Sequence, residues 1–238
     1  MKTFPQESIR NVALVGHGGS GKTTLAEAML FTAGAIPRLG NVEDGNTVCD
    51  FDPEEARRGI SVSLAMAPFE HDGHKVNVID APGYADFVSD VGAALRAADL
   101  AVFVVSAVEG VEVQTEMAWR LAEARAIPRA VFVNKLDRER ASFTRTLDDL
   151  KAKFGPGIAP LELPVGEEAA FEGVVDLLRD TAVLYQGSTG KGTEGPVPDA
   201  MEAEEHKVHD ALVEGIVVAD DDLMELSLIH ISEPTRPY

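Results

Sequence analysis

Residues Gly16-His17-Gly18-Gly19-Ser20-Gly21-Lys22-Thr23 set a lysine and a hydroxyl behind a glycine-rich turn, in the spacing G-x-x-x-x-G-K-[ST]. A turn of this composition aims successive backbone N–H groups inward, where they hold a phosphate anion. Lys22 supplies a point charge to the terminal phosphates, and the Thr23 hydroxyl is a hard oxygen ligand suited to Mg²⁺. Thr24 follows directly and completes the candidate nucleotide-binding set Gly16 to Thr24. A glycine-rich turn that merely contains Lys-Thr is the bland alternative. Flanking sequence argues against it. Val12-Ala13-Leu14-Val15 predicts a buried strand before the turn, and Leu25 to Leu30 predicts a helix after it. The N-terminus of that helix adds partial positive charge at the same place.

Three further groups could extend this chemistry. Val131-Phe132-Val133-Asn134-Lys135-Leu136-Asp137 is an apolar strand ending in N-K-x-D. Asp137 in such a position accepts hydrogen bonds from the guanine N1–H and exocyclic amine. Adenine offers no matching donor pair, so the carboxylate would go unpaired against ATP. Asn134 reaches toward guanine N7, and the Lys135 stem lies over the ring. Next, Val76 to Ile79 runs into Asp80-Ala81-Pro82-Gly83. There Asp80 can hold a Mg²⁺-bound water, and the Gly83 N–H can meet a γ-phosphate, so the loop would sense GTP against GDP. Standing alone it would read as a Pro-Gly turn. Last, Arg57-Arg58-Gly59-Ile60-Ser61 follows a long polar stretch from about Gly34 to Glu55. Loops of that length are usually functional or mobile, and this one fits a switch that orders when Ser61 reaches the metal.

These groups need a scaffold that delivers them to one place. In an open α/β sheet, ligands gather at the carboxyl ends of parallel strands. Strands are predicted at 12–15, 76–79, 101–106 and 131–133, with a hairpin formed by 61–69 and 75–80 around His71-Asp72-Gly73-His74. Both histidines read as turn residues, since no third ligand accompanies them. Helices are predicted at 115–126, where Trp119 packs inward, at 142–154, and at 201–218 with an acidic face toward solvent. Residues 187–199 read as a loop rich in Gly and Pro.

The order and wording of these motifs resemble the GTP-binding domain of translational GTPases, most closely elongation factor G and its elongation-factor-G-like relatives. Arg58-Gly59-Ile60-Ser61 resembles that family's R-G-I-[TS], and Asp80 to Phe87 its D-x-P-G-x-x-D-F. Leu163-Pro164-Val165-Gly166 and Phe171 to Leu177 resemble the entry to the insertion subdomain of elongation factor G. The resemblance implies a P-loop GTPase α/β fold, mostly parallel with helices on both faces and one antiparallel hairpin. It implies a core at 8–165 and part of the insertion subdomain at 166–225. GTP or GDP is the implied ligand, Mg²⁺ its ion held by Thr23, Ser61 and Asp80 (through water), and Lys22, Gly83 and Tyr84 the catalytic set. Tyr84 stands where elongation factor G has a histidine that orients water, and its neutral hydroxyl could still position one. Gly18-Gly19-Ser20 also departs from the family's A-H-x-D-x-G-K-T, as in the elongation-factor-G-like branch.

The family's helix matching Glu214 to Glu225 leads to a final strand and an S-A-[KL] base-contacting loop, a motif not found after Asp137. Leu226 to Tyr238 matches nothing in the family and reads as a non-native tail, so the core is expected to be truncated. The ribosome would be met through domains beyond this chain. A formal charge of -19 argues against a general nucleic-acid grip and is read as a solvated acidic surface. Cys49 is the only cysteine, no apolar N-terminal segment opens the chain, and no stretch reaches membrane length. A monomeric cytoplasmic protein without membrane contact is the expectation. Three readings stay open here: a ribosome-stimulated GTPase, a slowly hydrolysing GTP-binding regulator, or a fragment of a gene without function.

Overall fold

The apolar run at 12–15 lies in a longer strand, β1 (Ile9–Val15), whose last three residues are buried. The computed structural model describes residues 3–185 and 192–218, and the chain divides after Leu136 into two compact units. In the first unit a five-stranded sheet has the order β2-β3-β1-β4-β5, with β2 (Ala65–His71), β3 (His74–Asp80), β4 (Leu100–Ser106) and β5 (Arg129–Asn134). β1 pairs in parallel with β3 and β4, and β4 with β5, while β2 runs antiparallel to β3. The hairpin turn sits at Asp72-Gly73, both with positive φ, which matches the right-handed twist of its strands. His71 and His74 face each other across it as the last strand pair.

Helices cover both faces of this sheet. α1 (Lys22–Thr32) places Ala26 and Leu30 in one core with Leu14, Ala67, Phe69 and Val78, and Val102 packs against it. Phe103, the next residue along β4, points the other way and meets Trp119 of α4 (Val113–Glu123) with ring centroids 4.8 Å apart. The Arg129 guanidinium lies 4.6 Å from the centre of the Trp119 ring. Trp119→Ala should therefore cost about 3 to 5 kcal/mol of stability, read as a lowered urea midpoint. A loss under about 1 kcal/mol would contradict this packing role. α3 (Val88–Ala97) also belongs to this unit, as does α2 (Pro53–Arg58), which begins within the stretch expected to be loop and runs past its end. Asp52 and Glu55 form a capping box around Pro53, which is why six residues suffice to make a helix there.

The second unit carries α5 (Phe143–Phe154), an antiparallel sheet β6-β7-β8-β9 and α6 (Glu202–Val218). Its strands are Glu162–Val165, Gly173–Asp176, Thr181–Tyr185 and Gly192–Pro196. Leu163, Val175, Leu177, Ala182 and Leu212 form its core. β6, overlapping the segment that resembles the entry to the insertion subdomain, pairs with β7 in this sheet. β9 replaces part of the loop expected at 187–199. Its Gly-Thr-Glu-Gly-Pro sequence is a poor strand former, and pairing with the apolar β8 decides its conformation. Residues 187–191 of that expected loop, the helix end expected to 225 and the expected tail 226–238 lie outside the described residues.

Candidate functional site

The turn after β1 curls and enters α1 through Gly21, whose φ of 97° is open to glycine and strained for a side chain. The same glycine makes room for Asn134, whose Nδ2 donates to the Ser20 carbonyl at 2.8 Å. The end of β5 is thereby tied to the turn after β1, although 114 residues separate them. Lys22 is buried, and its ammonium donates to the carbonyls of Gly16 (3.2 Å) and His17 (2.8 Å). Burial pushes its pKa down to about 8, opposed by the carboxylates of Asp80 and Asp50. A polyanion placed in the turn would restore the charged form.

Beside Lys22, four side-chain oxygens from distant segments converge. The Thr23 hydroxyl donates to Asp80 Oδ2 at 2.6 Å, and the Ser61 hydroxyl donates to Asp50 Oδ1 at 2.7 Å. Each hydroxyl has then spent its one proton, yet the two oxygens lie 3.1 Å apart. Asp80 Oδ1 is buried and finds no hydrogen-bond partner among the described residues. Burial pushes the Asp80 carboxyl up to about 6, while the Thr23 hydrogen bond and the Lys22 charge pull the other way. An all-oxygen group with an unpaired carboxylate oxygen is suited to a hard divalent cation. Thr23, Ser61 and Asp80 therefore fit the Mg²⁺ expected of them.

Gly83 and Tyr84 lie against the turn as well. A Cβ at Gly83 would fall beside Lys22 Nζ, 2.6 Å from the His17 carbonyl carbon and 2.7 Å from the Gly18 nitrogen. The Tyr84 side chain is exposed and borders a shallow recess with Gly16, Pro82, Val88 and Met117. His17 is buried, its Nδ1 3.4 Å from Thr115 Oγ1, and burial lowers its pKa. Ser20 is buried, Gly19 and Thr24 are exposed, and Lys135 has a positive φ with its ammonium 3.9 Å from Glu109. Asp137 is exposed in the second unit, 3.8 Å from the Arg138 guanidinium. The first unit thus gathers every expected site residue except Asp137 around one turn or its flanks.

Three buried carboxylates at the site escaped the sequence reading, which took acidity as a solvated surface. Asp50 accepts from Ser61 and Thr47. Glu55 accepts from the backbone amides of Val62 and Ser63, both at 2.9 Å. Glu27, fully buried on α1, accepts from the amides of Gly40 (3.1 Å) and Val48. Together they pin the 40–63 segment that carries Ser61. The one available signal was Glu27 within an otherwise apolar helix, since an unpaired buried carboxylate is costly.

A sequence profile described as "Elongation factor Tu GTP binding domain" matches residues 7–231. The chain belongs to this family. It is 39% identical over 227 residues to elongation factor G of Granulibacter bethesdensis, covering 94% of this chain and 33% of that protein. It is 43% identical over 219 residues to an elongation factor G-like protein of Mycobacterium tuberculosis, covering 91% of this chain and 30% of that protein. A solved structure from Thermus thermophilus superimposes with a TM-score of 0.88 at 42% identity, over 94% of this chain and 33% of that one. The chain spans about a third of the length of these relatives. Its fold is that of a P-loop GTPase domain of the elongation factor G type. No helix among the described residues is long and apolar enough to cross a membrane.

Proposed function

We propose that this chain is the GTP-binding and GTP-hydrolysing domain of an elongation factor G-like translation factor that acts on the ribosome in translocation or recycling, in the cytoplasm. One observation carries the reading: oxygens of Thr23, Ser61 and Asp80, from three motifs far apart in sequence, meet beside Lys22 at the phosphate-type turn. The turn's amides and Lys22 hold the phosphates, and Asn134, Lys135 and Asp137 read the guanine. Thr23 and Ser61, with Asp80 through a water, would hold Mg²⁺, which when bound would supply charge neutralisation to the phosphates. Tyr84 orients a water through its hydroxyl. That water's oxygen bonds to the γ-phosphorus, the bond to the β–γ bridging oxygen breaks, and GDP departs with the electron pair. Both protons of the water end on the released phosphate, one on the oxygen that attacked and one on another phosphate oxygen. The Gly83 amide loses its γ-phosphate partner, and the segment carrying Ser61 is released with it.

Tyr84 favours a second reading, a slowly hydrolysing GTP-binding switch, because a neutral phenol replaces the imidazole of the related factors. GTP turnover by the full-length protein, with and without ribosomes, separates the two. The first reading expects ribosomes to raise turnover by about 100-fold or more, the scale a completed catalytic constellation gives. Flat turnover with ribosomes, restored by Tyr84→His, would reject it for the switch.

A further inference from the structure

Tyr84 and Gly18 are in closer contact than their separate motifs imply. A Cβ built on Gly18 would sit 2.8 Å from Tyr84 Cζ, 2.9 Å from Cε1 and 3.2 Å from Cε2. These are the atoms at the hydroxyl-bearing end of the ring, and carbon pairs prefer about 3.5 to 4.0 Å. The backbone itself does not ask for glycine there. Gly16, Gly19 and Gly21 have positive φ, whereas Gly18 is not among the positive-φ glycines. Any residue could take its conformation, so the ring alone accounts for the missing side chain. Gly83, the neighbour of Tyr84, presses on the same spot, within 2.7 Å of the Gly18 nitrogen when given a Cβ. The ring has room to yield, because Tyr84 is 41% exposed and the crowded atoms are at the far end of its side chain. A methyl group at position 18 would therefore swing the ring aside and leave the fold intact.

The geometry points to Gly18 as a positioning residue for Tyr84: the bare loop position is the seat that holds the phenol over the phosphate-type turn. The two positions act as one coupled pair, with the larger ring at 84 requiring the absent side chain at 18. This rests on the proposed nucleotide site, so the test separates the seat from the site.

3-Fluorotyrosine labels Tyr84 and Tyr185, and each ¹⁹F signal is identified by its loss in Tyr84→Phe or Tyr185→Phe. Gly18→Ala should move the Tyr84 signal and leave that of Tyr185 in place, with or without nucleotide. An unmoved Tyr84 signal would overturn the seat, whatever the protein binds. In GTP turnover, Gly18→Ala should lower kcat by about 10- to 100-fold, as displacement of a reacting group by an ångström does, with KM changed less than about threefold. In a Tyr84→Ala background the same change should do nothing further. In a Tyr84→His background the shorter ring should tolerate it. Equal losses in the Tyr84 and Tyr84→Ala backgrounds would overturn the coupling. A wild-type protein that binds no guanine nucleotide would reject the site and leave the ¹⁹F result to decide the seat.

Discussion

Lys22→Ala should weaken GTP binding by about 100-fold or more, or roughly 3 kcal/mol. The lysine is buried, held above the turn by the carbonyls of Gly16 and His17, and it is the cation placed where terminal phosphates would lie. Removing it leaves the turn's amides, which bind phosphate through dipoles alone, and leaves the buried Asp80 and Asp50 carboxylates uncompensated beside an incoming polyanion. The effect on GTP should exceed that on GMP, which lacks the phosphates Lys22 would touch. The fold should persist, because among the described residues the ammonium hydrogen-bonds to two loop carbonyls and to no helix or strand. Calorimetric titration of both proteins checks the result, with circular dichroism as control. A change under about threefold would show that the phosphates bind elsewhere.

Asp137→Asn carries the second large effect. It exchanges an acceptor for a group that presents a donor to the guanine N1–H and amine. Two charge-assisted hydrogen bonds are lost, at about 1.5 to 3 kcal/mol each, so the GTP dissociation constant should rise by about 100- to 10,000-fold. Xanthosine triphosphate has a carbonyl in place of the amine and should gain affinity in the same variant. Asp137 is exposed, with the equally exposed Arg138 guanidinium 3.8 Å away, so stability should be unaffected. Competition against a fluorescent nucleotide reads both effects in one assay. Unchanged selectivity would remove Asp137 from base recognition.

The sequence made the phosphate-type turn legible because each element there is locally encoded. Apolar residues 12–15 predict a strand, the glycines a turn, and residues 25–30 a helix; the structure joins them without revision. Asp80 and Asn134 were legible for the same reason, since each closes an apolar strand. What stayed hidden depended on pairing across long distances. Glu27, Asp50 and Glu55 look like surface acids in a chain of charge -19, and only the folded backbone shows which amides and hydroxyls they serve. β9 was hidden because its partner β8, not its own residues, makes it a strand. The contact between Gly18 and Tyr84 joins two motifs that each read as complete alone.

The central claim is that this turn binds guanine nucleotides, and one titration tests it most directly. The purified protein, in Mg²⁺ buffer, is titrated with GDP, GTP and ATP in a calorimeter. The account predicts one site for GDP and GTP, and ATP weaker by about 100-fold or more, the scale set by two charge-assisted hydrogen bonds that adenine cannot make. Equal binding of ATP and GTP, or no binding of either guanine nucleotide, would contradict it.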